Sequence, residues 1–376
     1  MTAQTDTQFE TVIENSLLRL RCLTNFEHGR FPNYSKGSQY VWRENDNWLA
    51  AFWPGLLWLA YSASHQQQFC DTAVALLPTF AHRLDRQVHI THDLGFLYTL
   101  SARAQWQCTG DVAARDLALR AATQLLGRYR QPGRYIQAWG AVGDAEKGGQ
   151  IIADTMMNIP LLFWAGAETG DSRFHEAAQQ HTRHSINYLM RPDGSSHHTF
   201  FFNQQTGQPD HPATHQGYSD DSWWARGHAW LIYGFALAAA WCDNETFLAA
   251  ARRAANTFYA ALPPSKVPPW DFRLPAEAPA YLDSSAGAIA ACGMLRIAAL
   301  DGDAQMRQQA ESLVAGLLQT CLEDDPQAQG LLQHGALHIP KMWAPDAYLI
   351  FGDYFFLEAL LTLTNNAPDF WGPGGN

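Results

Sequence analysis

Residues 154–190 read DTMMNIPLLFWAGAETGDSRFHEAAQQHTRHSINYLM. The stretch 154–168 is nearly uncharged and apolar all round, the pattern of a helix buried on every side. The stretch 172–190 is amphipathic and bears Arg and Glu, the pattern of a helix that covers another. Between them Thr169-Gly170-Asp171 makes a short turn, in which Gly ends one helix and Asp can cap the next. Pro160, six residues into the apolar segment, predicts a kink or a delayed helix start.

The same pairing recurs along the whole chain. Apolar segments at 49–61, 94–107, 154–168, 228–241, 284–299 and 348–364 alternate with amphipathic ones at 9–25, 70–85, 111–130, 172–190, 244–261 and 303–322. Apolar helices pass to amphipathic ones through brief turns, as at 108–111, 242–244 and 300–303. The return connections are long, at 26–48, 131–153, 191–227, 262–283 and 323–347, and only 86–93 is short. Because antiparallel helices alternate direction, these loops gather on one rim, where function is expected. Unequal, weakly similar hairpins predict an all-α (α/α)6 barrel, a toroid of six helical hairpins, in preference to an open solenoid. No linker divides the chain, so one catalytic domain over 1–376 is expected, with a loosely held tail at 365–376.

Composition narrows the partners. A formal charge of −11 with no basic stripe argues against nucleic acid. The start MTAQTDTQFE has no positive region, and no apolar helix reaches the length of a membrane span, so neither signal peptide nor membrane anchor is expected. The cysteines at 22, 70, 108, 242, 292 and 321 form no CxxC pair and read as reduced thiols of a cytoplasmic protein, a monomer or small homo-oligomer. No glycine-rich nucleotide loop or HExxH is present, and the pairs His211/His215 and His334/His338 lie in Pro- or Gly-bearing loops, so no cofactor and no metal are expected.

The long loops and the first turns after them carry Trp42, Trp48, Trp139, Trp223, Trp224, Trp230, Trp270 and Trp343. Packing under loops accounts for some of these. The others suit a cleft for sugars, whose C–H faces stack on indole. Two carboxylates enter the same rim, Asp93 and Asp154, each at the start of an inner helix. An Asp there is ordinarily an N-cap. Here both point toward the ring axis, and Asp154 lies between Ile151-Ile152 and Met156-Met157, a setting expected to raise its pKa. Paired carboxyls in a Trp-lined cleft are the apparatus of glycoside hydrolysis. Arg226, set among His and Gln of the longest loop, is expected to bind an acidic group of a small ligand.

The stretches HDLGFLYTLSARAQW (92–106), DTMMNIPLLFWAGAETGD (154–171), SSHHTFFF (195–202), THQG (214–217), ARGHAWLIYGFAL (225–237) and DSSAGAIAACG (283–293) closely resemble the unsaturated glucuronyl hydrolases of glycoside hydrolase family 88. The resemblance runs in order from about residue 30 to residue 364 and implies a cytoplasmic (α/α)6 barrel without metal or cofactor. It implies removal of a 4,5-unsaturated uronic acid from the non-reducing end of oligosaccharides made by polysaccharide lyases. By position it assigns the general acid and base to Asp154 and its partner carboxylate to Asp93. It gives His198, Gln216, Arg226 and Trp230 to the uronate, Trp48 and Trp139 to the cleft walls, and places His92 beside them. Two departures, Leu49-Ala50-Ala51 after the first Trp and His228 in RGHAW where Gln is usual, are expected to touch the pocket.

The implied reaction is hydration of a vinyl ether: a proton goes to C4, water adds at C5, and the hemiketal opens. Competing readings are an unsaturated rhamnogalacturonyl hydrolase, an N-acylglucosamine 2-epimerase-like isomerase that would use His bases, and a non-catalytic sugar-binding toroid. The source polysaccharide is not legible. Loop 323–347 offers only Lys341 as a cation, so unsulfated or lightly sulfated disaccharides are the expected preference.

Overall fold

The computed structural model describes residues 3–26 and 29–374. Outer helices are α1 (Ala3–Leu23), α3 (Gln67–Asp85), α6 (Val112–Leu126), α8 (Ser172–Tyr188), α10 (Glu245–Ala261) and α12 (Ala304–Thr320). Inner helices are α2 (Phe52–Ser64), α4 (Leu94–Tyr98) continued through a π turn into α5 (Ala104–Thr109), α7 (Pro160–Thr169), α9 (Ala225–Cys242), α11 (Ser284–Asp301) and α13 (Ile350–Leu363). Each inner helix packs on the next, and α13 returns to α2, so the ring closes. One apolar core runs from Phe9 to Trp371, dominated by the inner helices. Their lack of charge therefore has its cause in burial on all sides.

Local chemistry sets the turns. Gly110, Gly170 and Gly302 end inner helices in the left-handed conformation, which costs glycine nothing. Asp111, Asp171, Asn244 and Asp303 then cap the outer helices with side-chain hydrogen bonds. Pro160 delays its helix as expected: 153–157 form a 3-10 turn, and α7 starts with the proline in its first turn, where the missing N–H is harmless.

Two features depart from the sequence reading. The long loops carry short strands: β1 (Phe31–Lys36) with β2 (Gln39–Arg43), β3 (Tyr129–Arg130) with β4 (Tyr135–Ile136), and a sheet of β5 (Gln150–Ile152), β6 (Thr199–Phe202) and β7 (Pro209–Ala213) in that order. The tail is not loosely held up to Gly372. Trp371, 1% exposed, closes the short-turn end of the barrel, its Nε1 donating to Glu358 at 3.0 Å and Tyr354 at 3.1 Å. The buried Arg103 donates to the carbonyls of Phe370 and Gly372, each at 2.6 Å. Without this cover the aromatic floor of the barrel would meet water. Residues 375–376 of the expected tail lie outside the described residues.

Candidate active site

The long loops are tied down by buried arginines that collect backbone carbonyls. Arg83 donates to Asn47 O (2.8 Å) and Asn45 Oδ1 (2.9 Å), fixing the approach to Trp48. Arg128 donates to Ile90 O, Gln137 O, Ala138 O and Gly140 O at 2.9–3.1 Å. It thereby joins the loop that carries His92 and Asp93 to the loop that carries Trp139. Arg191 does the same for Ser196 O (2.6 Å) and Ser222 O (2.8 Å). A guanidinium suits this task because five N–H groups diverge from one rigid plane.

The sheet brings the main groups together. Ile152 pairs with Thr199, so Asp154, just after β5, meets His198, just before β6. Thr199 also pairs with Ala213, which places the following residues beside His198. The backbone N–H groups of His215 (3.1 Å) and Gln216 (3.2 Å) donate to His198 Nδ1. An acceptor Nδ1 assigns the ring proton to Nε2, which faces Asp154 Oδ2 at 3.5 Å. Asp93 has a parallel partner. Asn158 Nδ2 (3.3 Å) and Thr155 Oγ1 (3.0 Å) contact His92 Nδ1, leaving His92 Nε2 toward Asp93 Oδ1 at 3.5 Å. Neither aspartate caps its helix.

These groups border a cavity of about 450 Å³, within the size range of small-ligand sites. Trp48, His92, Asp93, Trp139, Asp154 and Gln216 stand in its wall. Trp139 and His215 form one side, ring centroids 4.9 Å apart. Burial pushes the Asp154 carboxyl up, but the facing His198 at 3.5 Å, with lesser effects from His92 and Arg226, outweighs it and holds the pKa below the ordinary carboxylate range. This corrects the expectation of a raised pKa, which counted the apolar neighbours in sequence and missed the imidazoles across the cleft. Burial lowers His92, and it brings His215 and His338 down to about 4, so all three are neutral at neutral pH.

Other expected residues lie behind the wall. His198 touches Asp154 but does not line the cavity. Trp230 is packed among Phe96, Phe351 and Phe355, with Nε1 unpartnered. Arg226 is 1% exposed and pairs with Asp283 at 2.6 Å while donating to Ala336 O (2.5 Å) and Leu337 O (2.7 Å). Its Nε remains without a partner. The departure at His228 does not reach the pocket: Nε2 meets Ala254 O and Nδ1 meets Ser196 Oγ, each at 2.9 Å. Leu49 does line the cavity, whereas Ala50 and Ala51 are buried. Lys341 is joined at the cavity by Arg43 from β2, so the sequence argument for unsulfated substrates, which counted a single cation, loses its premise.

Sequence reading weighed His215 and His338 in histidine pairs set aside as metal ligands but gave neither a place in the cleft, and it did not single out Arg128. The only signal for the first two was their place in loops already rich in His and Trp. A larger groove, about 610 Å³, runs between α1 and residues 322–331 but contains no histidine and neither Asp93 nor Asp154. Among the described residues no group of three or more His, Cys, Asp or Glu is placed to hold a metal ion.

Comparison with known proteins follows the same line. Residues 24–348 match the profile of Glycosyl Hydrolase Family 88. The chain is similar to an unsaturated glucuronyl hydrolase of Bacillus sp. (strain GL1), 45% identical over 350 residues that cover 91% of this chain and 93% of that protein. It is also similar to an unsaturated chondroitin disaccharide hydrolase of Streptococcus pneumoniae (strain ATCC BAA-255 / R6), 38% identical over 340 residues, 88% of this chain and 85% of that one. The crystal structure of the Bacillus sp. GL1 enzyme matches with a TM-score of 0.94 and 42% identity, covering 98% of this chain and 100% of that chain.

Proposed function

This chain belongs to glycosyl hydrolase family 88, and on that premise we propose that its cavity hydrates the 4,5-unsaturated uronate at the non-reducing end of lyase-made oligosaccharides, with Asp154 as general acid and base. The observation that carries the assignment is the setting of Asp154. Its Oδ2 is buried, hydrogen bonded to no side chain at normal distance, and faces an imidazole whose donor nitrogen is dictated by two backbone amides.

Before substrate binds, Asp154 is a carboxylate at neutral pH. A seated uronate adds negative charge and removes water, and both effects raise the pKa, so the proton is taken up as the substrate binds. Asp154 gives that proton to C4, leaving an oxocarbenium-like centre at C5. As carboxylate again, it takes a proton from the water that adds there, and the hemiketal opens to release the next sugar. His198 cannot draw the proton away, because Nε2 already carries hydrogen and Nδ1 is occupied. Asp93, opposite His92, binds ring hydroxyls; Trp48 and Trp139 supply apolar faces, and Gln216 a polar edge. Arg226 uses three of its five N–H groups on Asp283, Ala336 and Leu337, and from behind the wall its charge would draw the uronate carboxylate. Six free thiols fit a cytoplasmic site of action on imported fragments.

The test mixes lyase-made disaccharides with the protein and follows loss of the conjugated uronate's ultraviolet absorbance. Decay that Asp154→Asn abolishes supports the reading, whereas binding without decay in the parent protein would replace it with a sugar-binding toroid. The same panel, drawn from hyaluronan, chondroitin and pectin sources, separates glucuronyl from rhamnogalacturonyl preference.

A further inference from the structure

Asn158 closes the turn that carries Asp154; it is fully buried and does not line the cavity. Its amide nevertheless touches both aspartate-bearing segments. Oδ1 accepts the backbone N–H of Phe96 at 2.7 Å, while Nδ2 donates to the Asp154 carbonyl at 3.0 Å and faces His92 Nδ1 at 3.3 Å. A backbone N–H only donates and a carbonyl only accepts, so the amide has one possible orientation. An N–H donor at His92 Nδ1 in turn keeps the ring proton on Nε2, toward Asp93.

The bond to Phe96 completes the hydrogen bonding at the start of α4. A helix leaves its first N–H groups without acceptors of its own, and an Asp at the N-cap ordinarily serves the second or third. Here Leu94 N–H reaches Thr91 O (3.4 Å) and Gly95 N–H reaches His92 O (3.2 Å). The third, Phe96 N–H, goes to Asn158, 62 residues along the chain. Asp93, at the N-cap, has nothing left to cap, and its carboxylate meets the Thr91 hydroxyl (2.8 Å), His92 and the cavity instead. Glycine makes the approach possible: a Cβ at position 95 would lie 2.1 Å from Asn158 O. On the other side, a Cβ at Gly234 of α9 would lie 2.4 Å from Met156 Cβ, so the turn is wedged between two inner helices.

We propose that Asn158 is a positioning residue: by capping α4 from the neighbouring segment it releases Asp93 to the cavity, and through the Asp154 carbonyl the same amide fixes one aspartate against the other. It touches no reacting atom and acts through Asp93 and Asp154. Its consequence for turnover rests on the functional reading above, whereas the exchange of caps does not.

Four proteins test the exchange: the parent, Asn158→Ala, Asp93→Ala and the double variant. Each is measured for chromophore loss from a lyase-made disaccharide and for melting temperature. Without Asn158, Phe96 N–H lacks an acceptor, and the N-cap side chain, Asp93, should turn back to supply one. In Asn158→Ala kcat/KM should then fall about 10²-fold, as misplacement of a reactive group does. The same change made on Asp93→Ala should cost less than about ten-fold, because the contribution of Asp93 is already gone. Melting temperature should run the other way: Asp93→Ala should not lower it while Asn158 is present, and should lower it once Asn158 is gone. An equal loss of activity in both backgrounds, or a parent destabilised by Asp93→Ala alone, would each overturn the proposal. If Asn158→Ala does not fold, the melting temperature of Asp93→Ala decides by itself. Absence of turnover in the parent protein would refute the functional reading and leave the melting temperatures to judge Asn158.

Discussion

At the short-turn end of the barrel, Asp111, Asp171, Asn244 and Asp303 each accept a backbone N–H of the helix they begin. At the long-loop end, Asp93 and Asp154 also stand at helix starts but cap nothing. The contrast extends to the buried carboxylates. Glu358, near the floor, accepts from Tyr233 Oη and Trp371 Nε1, and burial raises its pKa. Asp154, at the loop end, keeps an unpartnered oxygen and is held low. The ingredients of the two ends are alike: carboxylates, aromatic rings and a buried arginine. What separates the two carboxylates is whether each oxygen has found a protein partner: those of Glu358 have, and Oδ2 of Asp154 has not.

The strongest challenge to this contrast is a matched pair of variants. Asp154→Asn should reduce chromophore loss by at least about 10²–10⁴-fold, the usual effect of removing a general acid and base, with substrate still bound. Glu358→Gln should lower thermal stability and leave turnover per folded molecule unchanged. If Glu358→Gln also abolished turnover, the two ends would not be functionally distinct.

A large buried side chain at each end, Arg226 and Trp371, offers a second comparison. Arg226→Ala leaves Asp283 buried without its charge partner and should cost about 3–5 kcal/mol of stability by denaturant titration, while raising KM for the uronate. Trp371→Ala opens the floor and should cost about 3–5 kcal/mol as well, with KM unaltered. A KM change in the Trp371 variant would show that the floor communicates with the site.

A smaller effect concerns pH. His198 Nε2 faces the Asp154 carboxylate at 3.5 Å and lowers its pKa. Removing the donor in His198→Phe raises that pKa, so the alkaline limb of kcat/KM should move to higher pH. Removing the neighbouring negative charge in Asp93→Asn lowers it, so the limb should move to lower pH. Shifts of the same sign in both variants would contradict the assignment of that limb to Asp154.

Much of the architecture was legible from local pattern. Uncharged helices could only be inner, and Gly followed by Asp or Asn marked the short turns, because burial and capping act within a few residues. Asp93 and Asp154 were placed at the cavity by the same reasoning, since their position in the alternation put them on the long-loop rim. The loop sheet was not legible: its strands are short, and β7, with Pro209, Asp210, His211 and Pro212, has no strand-like composition. Nor was the plug at Trp371, whose neighbourhood of Pro and Gly reads as a loose end until Glu358, Tyr354 and Arg103 are seen around it.

By itself the sequence determined a ring of buried and covering helices, the rim of long loops that borders the cavity, and the two aspartates that enter it. The tertiary structure alone decided their chemistry. The Asp154 pKa depends on His198, which only the β5–β6 pairing brings near. The setting of His338 depends on Trp343, Gln216 and Arg226, the latter two more than a hundred residues away along the chain. Hydrogen bonds and charges act through space over a few ångströms, and no periodicity along the chain records which distant groups will share that space.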